Sequence, residues 1–328
     1  MSGADSRIPF TKWLHEGATE IGDLSLDSGG CLPRVRMAWQ SVGPIDVSRP
    51  VVLLLHGYTN SHRFWQTAPT PDLNSGWGNE LVGPGAAIDS NRFLVIAINH
   101  LGSCYGSTGP GTEHPMGDGR YGLRFPIVTI RDQARAAVLA LRELGIDRLA
   151  AVVGYSYGGY MAFELALDDM ISLAGVVVLA SGPKGNGSEQ ERADLQSLAD
   201  RPSKTRLLER RLATLAAYGL MGGGEVGRAA AIWSRRHDPV SLLRLREAAM
   251  HFDRRGHLRD LRQPLFWLHV TDDKLFPPPD DDLLQAIPPQ LLTHRVLPGG
   301  GHLAPVQNPQ AYAEDLRAFL LPIIGRSY

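Results

Sequence analysis

The stretch Ala150–Glu164, AAVVGYSYGGYMAFE, decides the fold. An apolar run rich in valine ends in a serine set among tyrosines and glycines, and small and apolar residues of helical character follow. Within it Gly154-Tyr155-Ser156-Tyr157-Gly158 fits G-x-S-x-G. Placed between a strand and a helix, this pattern makes a turn so sharp that the serine takes a strained backbone. The residues two before and two after it must then be small, hence Gly154 and Gly158. The turn holds the hydroxyl over the end of the sheet, at the positive end of the new helix. The bare pattern also fits an ordinary glycine-rich turn. The strand-turn-helix context makes Ser156 a candidate nucleophile.

Outward from this turn the chain alternates strands with helices. Val51 to Leu55 (VVLLL) and Phe93 to Ile98 (FLVIAI) are short, wholly apolar runs that read as buried parallel strands. Leu149 to Val153, Val176 to Leu179, Leu265 to Val270 and Thr293 to Leu297 complete six predicted strands. Thr129 to Leu144 reads as a helix, with Thr129 and Asp132 as a capping box and Gly145 as its stop. Tyr157 to Leu167 is the helix after the serine, and Pro309 to Leu321 a last one. Repeated β-α units predict a mostly parallel sheet flanked by helices. The segment 182–261 breaks the rhythm: it has no strand candidate, is rich in Arg, Leu and Ala, and carries a flexible spot at Gly222-Gly223-Gly224. It reads as a helical cap inserted into a core formed by residues 1–181 and 262–328. Gly106 to Tyr121 is a long loop dense in Gly and Pro, a length often tied to function.

Composition narrows the classes. The chain has 328 residues, 43% hydrophobic and 20% charged, the profile of a globular protein long enough to bury a core without staples. A formal net charge of −1 argues against a nucleic-acid partner. Two cysteines far apart, Cys31 and Cys104, make no disulfide framework and suit a reducing compartment. The opening MSGADSRIPF lacks the pattern of a secretory signal, and no apolar run nears the roughly 18 residues of a membrane span. A cytoplasmic location with no membrane partner is the expectation. No His/Cys/Asp cluster has metal-ligand spacing, and no cofactor is called for.

A serine hydroxyl needs a base. In this architecture the chain order is Ser, then acid, then His. His302 follows the last predicted strand in Gly299-Gly300-Gly301-His302, where ligand sites of open α/β sheets form. His56, His100, His269 and His294 lie at strand ends or inside strands and receive structural readings. The acid belongs after the preceding strand, where Asp272 and Asp273 are adjacent. Asp273, the later position, reaches further over the strand end towards His302 and is assigned to orient the imidazole. Asp272 is expected to face solvent or cap the turn. Two backbone N–H groups must face the developing oxyanion. That of Tyr157, next after Ser156, is one. That of Tyr58, in His56-Gly57-Tyr58-Thr59 after VVLLL, is the other.

With these residues in place, the chain resembles the α/β-hydrolase superfamily, and within it the homoserine O-acetyltransferase group. Gly76-Trp77 with Leu81–Asp89 (LVGPGAAID), Asn99–Pro110 (NHLGSCYGSTGP), Phe125–Asp132 (FPIVTIRD) and Thr271–Pro278 (TDDKLFPP) are similar to that group's motifs. The likeness runs from about Arg36 to Leu321, outside the helical insertion. It implies the α/β-hydrolase fold and a Ser156–His302–Asp273 triad. Two departures stand out. The elbow reads GYSYGGY where the group carries GGSMGGM. The group's acceptor-binding helix, N-E-V-Q-R-Q-A-I-like, has no evident counterpart, and Ser188 to Leu215 stands in its place.

The first expectation is therefore a carboxylic ester hydrolase acting on a small-molecule ester. The alternative is an O-acyltransferase that moves an acetyl group from acetyl-CoA to a hydroxyl acceptor such as homoserine or serine. Arg206, Arg210, Arg211, Arg235 and Arg236 are expected on a solvated helical face, with the phosphates of an acyl-CoA as their other use. Cys104 reads as a packing cysteine. The sequence leaves a homodimer open.

Overall fold

A computed structural model describes residues 14–65, 76–220 and 223–324. The opening stretch Met1 to Phe10 and Gly222, both read above from sequence, lie outside the described residues. One eight-stranded sheet organises the chain. Its strands are β1 (Leu14–Ser25), β2 (Cys31–Val42), β3 (Val51–Leu55), β4 (Leu94–Ile98), β5 (Ala151–Tyr155), β6 (Val176–Leu179), β7 (Leu265–Val270) and β8 (Leu292–Leu297). Their spatial order is β1-β2-β4-β3-β5-β6-β7-β8. β1 pairs antiparallel with β2, and β2 antiparallel with β4. Every later pairing is parallel.

The apolar runs become the middle of this sheet because both their faces are covered. Leu53, Leu55, Ile96, Ile98, Val152, Val178 and Trp267 turn to one core, and Leu54, Val95, Val153, Val177, Phe266 and Leu268 to the other. The first core is filled from α1 (Ile130–Glu143) and α2 (Tyr157–Leu167). Thr129 and Asp132 form the expected capping box at the start of α1. The second core takes Leu316, Leu320 and Ile323 from the chain's last helix, Ala313–Ile324. That helix begins later than predicted, since Pro309–Ala311 forms a separate 3-10 turn.

Two further differences have local causes. β5 runs to Tyr155, two residues beyond the predicted end, because Gly154 and Tyr155 pair with Val178 and Leu179. The hairpin β1–β2 carries no apolar run. Its strands are partly exposed, and register shifts at Glu20/Gly22 and Gly22/Leu24 break the two-residue alternation that signals a strand.

Between β6 and β7 the chain forms α3 (Glu189–Asp200), α4 (Lys204–Ala217), α5 (Gly224–Arg236) and α6 (Pro239–Met250). Three of these starts, those of α3, α4 and α6, follow from the residue before them. Ser188, Ser203 and Asp238 accept the backbone N–H groups of Glu191, Arg206 and Val240, and Pro239 fills the first position of α6. Leu195, Leu198, Leu207, Trp233, Leu242 and Leu243 give these helices a small core of their own.

Candidate active site

The turn between β5 and α2 is as tight as the glycines require. Ser156 has φ 52 and ψ −119. A methyl group on Gly154 would overlap the Gly158 carbonyl, and one on Gly158 the Leu55 carbonyl of β3. Gly159 packs as closely on the Ser181 side chain. Only glycine lets the helix start this near the sheet.

The turn brings Ser156 to His302. The serine Oγ–H donates to His302 Nε2 at 2.9 Å. His302 Nδ1–H donates to Asp273 Oδ2 at 2.8 Å. The other oxygen of Asp273 accepts from the Leu275 and Phe276 N–H groups at 2.9 and 3.2 Å, which fixes the carboxylate behind the ring. Ser156, His302 and Asp273 are 9%, 6% and 2% exposed, so bulk water is largely kept from their hydrogen bonds. Asp272 is exposed. It accepts from Gly301 N–H at 2.8 Å and Gly300 N–H at 3.3 Å, on the loop that carries His302. Those backbone donors hold its carboxyl below the ordinary range.

Tyr58 and Tyr157 stand beside this line, their rings 6.0 Å apart. Tyr157 is the first residue of α2, where a backbone N–H has no partner inside the helix. The loop bearing Tyr58 is held by two histidines. His56 Nδ1–H donates to the Gly57 carbonyl at 2.9 Å, and His100 Nε2–H to the His56 carbonyl at 2.8 Å. Burial keeps both rings neutral, pushing His56 down to about 3. His269 and His294 contact each other at 3.1 Å across β7 and β8.

Ser156, His302, Tyr58 and Tyr157 all line one cavity of about 670 Å³. Helices α4 to α6 supply Leu215, Trp233 and Leu242 to its wall, and the core supplies Trp77, Phe276 and Val306. The Tyr218 ring, at the end of α4, lies 5.4 Å from that of His302. The arginines differ from expectation. Arg206, Arg235 and Arg236 are exposed. Arg211, however, is 4% exposed, donates to Thr59 Oγ1 at 2.9 Å and stacks on Trp233. Arg210 bonds Glu191 at 2.6 Å. Both line the cavity, as do Arg246 and Lys274. The cause is tertiary: α4 turns one side onto the Tyr58–Thr59 loop, which no helical periodicity reveals. Cys104 accepts from the Asp238 N–H, and burial pushes its thiol up to about 11, which fits a packing role. Among the described residues no group of three or more His, Cys, Asp or Glu could hold a metal ion. No helix among them is long and apolar enough to cross a membrane.

This sheet order, elbow and histidine loop define a class. The chain belongs to the α/β-hydrolase fold family, whose sequence profile matches residues 50–309. Within that family it is similar to homoserine O-acetyltransferases. It is 39% identical over 163 residues to that of Geotalea daltonii (strain DSM 22248 / JCM 15807 / FRC-32), covering 49% of this chain and 44% of the relative. With that of Mycobacterium sp. (strain KMS) it shares 40% over 175 residues, 53% of this chain and 46% of the relative. The matched segment thus spans less than half the length of these curated relatives. Solved structures share the fold over nearly the whole chain. The homoserine O-acetyltransferase from Bacillus anthracis superposes with a TM-score of 0.77 at 18% identity, covering 94% of this chain and 98% of that one. Esterase E22 gives 0.76 at 22% identity, with 94% and 100% covered.

Proposed function

We propose that the chain is a serine-dependent carboxylic ester hydrolase. The observation that carries this reading is the line Ser156 Oγ–His302–Asp273, at 2.9 and 2.8 Å, whose serine and histidine line one cavity. Ser156 Oγ attacks the acyl carbonyl as His302 Nε2 takes its proton. Asp273 holds the tautomer with Nδ1 protonated and stabilises the imidazolium. The N–H groups of Tyr58 and Tyr157 receive the oxyanion, each such donor being worth about 2.7–4 kcal/mol in other enzymes. His302 then passes the proton to the leaving alcohol, and the acyl group stays on Ser156. A water that gives its proton to His302 attacks this ester, the acid leaves, and Ser156 regains its proton. In this reading α3 to α6 act as a cap over the core formed by the rest of the chain.

The second reading is O-acyl transfer, in which a substrate hydroxyl replaces that water. The likeness to homoserine O-acetyltransferases favours it, and Arg210 and Arg211 at the cavity offer cations to an acyl-CoA. Transfer outruns hydrolysis only where an acceptor is held in place, since good positioning supplies effective molarities of ~10⁵–10⁸ M. The sequence between Ser188 and Leu215 lacks the group's acceptor helix, so hydrolysis is preferred. Partition of the acyl group tests this. The purified protein is given a short p-nitrophenyl ester, with and without homoserine or serine, and then acetyl-CoA with each acceptor. Free acid as the main product supports the hydrolase. O-acetylhomoserine formed faster than any simple ester is cleaved defeats it.

A further inference from the structure

In the hydrolase reading Tyr58 offers its backbone N–H to the oxyanion, and its side chain is held by the helices of the insertion. The phenol O–H donates to the Leu242 carbonyl of α6 at 2.5 Å. The ring lies under the guanidinium of Arg246, one helical turn further on, 4.6 Å from its centroid. Arg246 is itself fixed. Its Nη1 donates to the carbonyl and the side-chain oxygen of Asn186 at 3.0 and 2.8 Å, and its Nη2 lies 3.1 Å from Glu191 of α3. Thr59, the next residue, accepts from Arg211 of α4 at 2.9 Å through Oγ1 and from Trp233 of α5 at 3.4 Å through its carbonyl. Three helices of the insertion, α4, α5 and α6, therefore converge on two residues of one core loop, and α3 joins them through Glu191 and Arg246.

From the other side the core grips the same loop at Gly57, whose carbonyl accepts from His56 and from the Asn60 N–H at 3.0 Å. A peptide unit is planar, with its C=O and N–H on opposite edges. Fixing the Gly57 oxygen therefore fixes one edge of the Gly57–Tyr58 peptide. The anchored Tyr58 side chain fixes the residue that carries the other edge. Burial lifts the phenol to about 12, so it remains a donor throughout the neutral range.

We propose that Tyr58 is the tie by which the helical insertion sets the aim of the oxyanion donor, with Arg246 and Glu191 as positioning residues acting through it. This rests on the hydrolase reading above. Through this tie the insertion acts on the chemical step and not on substrate affinity.

The experiment uses the whole chain and a short p-nitrophenyl ester. Tyr58→Phe removes the bond to Leu242 and keeps both the ring and the N–H. Arg246→Met removes the cation and keeps most of the bulk, and Arg246→Lys restores a charge. A trifluoromethyl ketone, which adds Ser156 and forms an oxyanion, is compared with the matching methyl ketone as inhibitors. We expect kcat to fall about tenfold in Tyr58→Phe and Arg246→Met, less than the ~100–1000-fold of losing a donor outright. Affinity for the trifluoromethyl ketone falls in parallel. KM, methyl ketone affinity and the position of the pH profile stay unchanged, and Arg246→Lys recovers part of kcat. The double variant loses less than the product of the single losses, as for coupled residues. A lowered Tm with unchanged kcat and ketone affinity overturns the proposal, as does a change confined to KM. Ser156→Ala separates the two levels. If it stays active, the hydrolase reading itself fails. If it is silent while Tyr58→Phe turns over normally, only the tie falls.

Discussion

The Tyr155 phenol donates to the backbone carbonyl of His302 at 3.0 Å, and its ring stacks on the imidazole at 5.4 Å. The residue just before Ser156 thus holds the loop that brings His302 to Ser156. Two segments far apart in sequence are located by one side chain. The Phe276 ring also stacks on the imidazole, at 5.6 Å.

Replacing Ser156 by alanine should abolish esterase and transferase activity while leaving the fold intact. The residues of a triad act as a unit, and loss of the nucleophile costs roughly 10⁶ in kcat in a well-studied serine protease. Labelling by a fluorophosphonate should vanish with it. Strong labelling of the alanine variant would assign the nucleophile elsewhere.

The two adjacent aspartates should separate cleanly. Asp273→Asn puts an amide where the imidazole N–H donates, favours the wrong tautomer, and should cost ~10⁴ in turnover. Asp272→Asn keeps an oxygen for only one of the Gly300 and Gly301 N–H groups, yet it should cost about tenfold at most, since it acts only through the loop. Steady-state rates of the two variants decide. Equal losses would overturn the assignment of Asp273, and a larger loss at Asp272 would reverse it.

Acid should destabilise the fold well before the carboxylates titrate. Burial lowers His56 and His269 to about 3 and His62 to about 4, with His100 and His237 also well below 6.5. Above pH 6.5 these rings are neutral in both states and cost nothing. As pH falls below it the unfolded chain takes up protons that the folded chain refuses, so stability drops until the folded values are reached. Each histidine contributes up to about 1.4 kcal/mol per pH unit across that window. Thermal melts from pH 7 to pH 5 should show Tm falling steadily. A flat Tm over that range is the contrary result.

How much of this was legible in the sequence depended on how local the cause was. Thr129 and Asp132 cap α1 through their own neighbours, so the helix start could be read directly. The runs VVLLL and LVIAI could be read because strands covered on both faces need no polar residue. The meeting of Asp273 with His302 could be expected because chain order in this architecture is tied to strand order. The hairpin β1–β2 was not, since its exposed positions and register shifts mimic no period. Arg211 was misplaced because its burial depends on Thr59, 152 residues away. The hold of Tyr155 on His302 and of Leu242 on Tyr58 span 147 and 184 residues, and nothing in either local sequence announces them.

The backbone of Ser156 has one more consequence. At φ 52 and ψ −119 it lies in a region that glycine enters freely and serine does not. Such a conformation costs about 1–3 kcal/mol, and the surrounding packing must supply it. On the hydrolase reading, the chain gives up stability to hold the Ser156 hydroxyl in this position. Ser156→Gly should be inactive yet melt about 1–3 °C higher, once the greater chain entropy of glycine has offset about 0.5–1 kcal/mol of the gain. A calorimetric scan of the two proteins would show whether the chain with serine at this turn is less durable than the one with glycine.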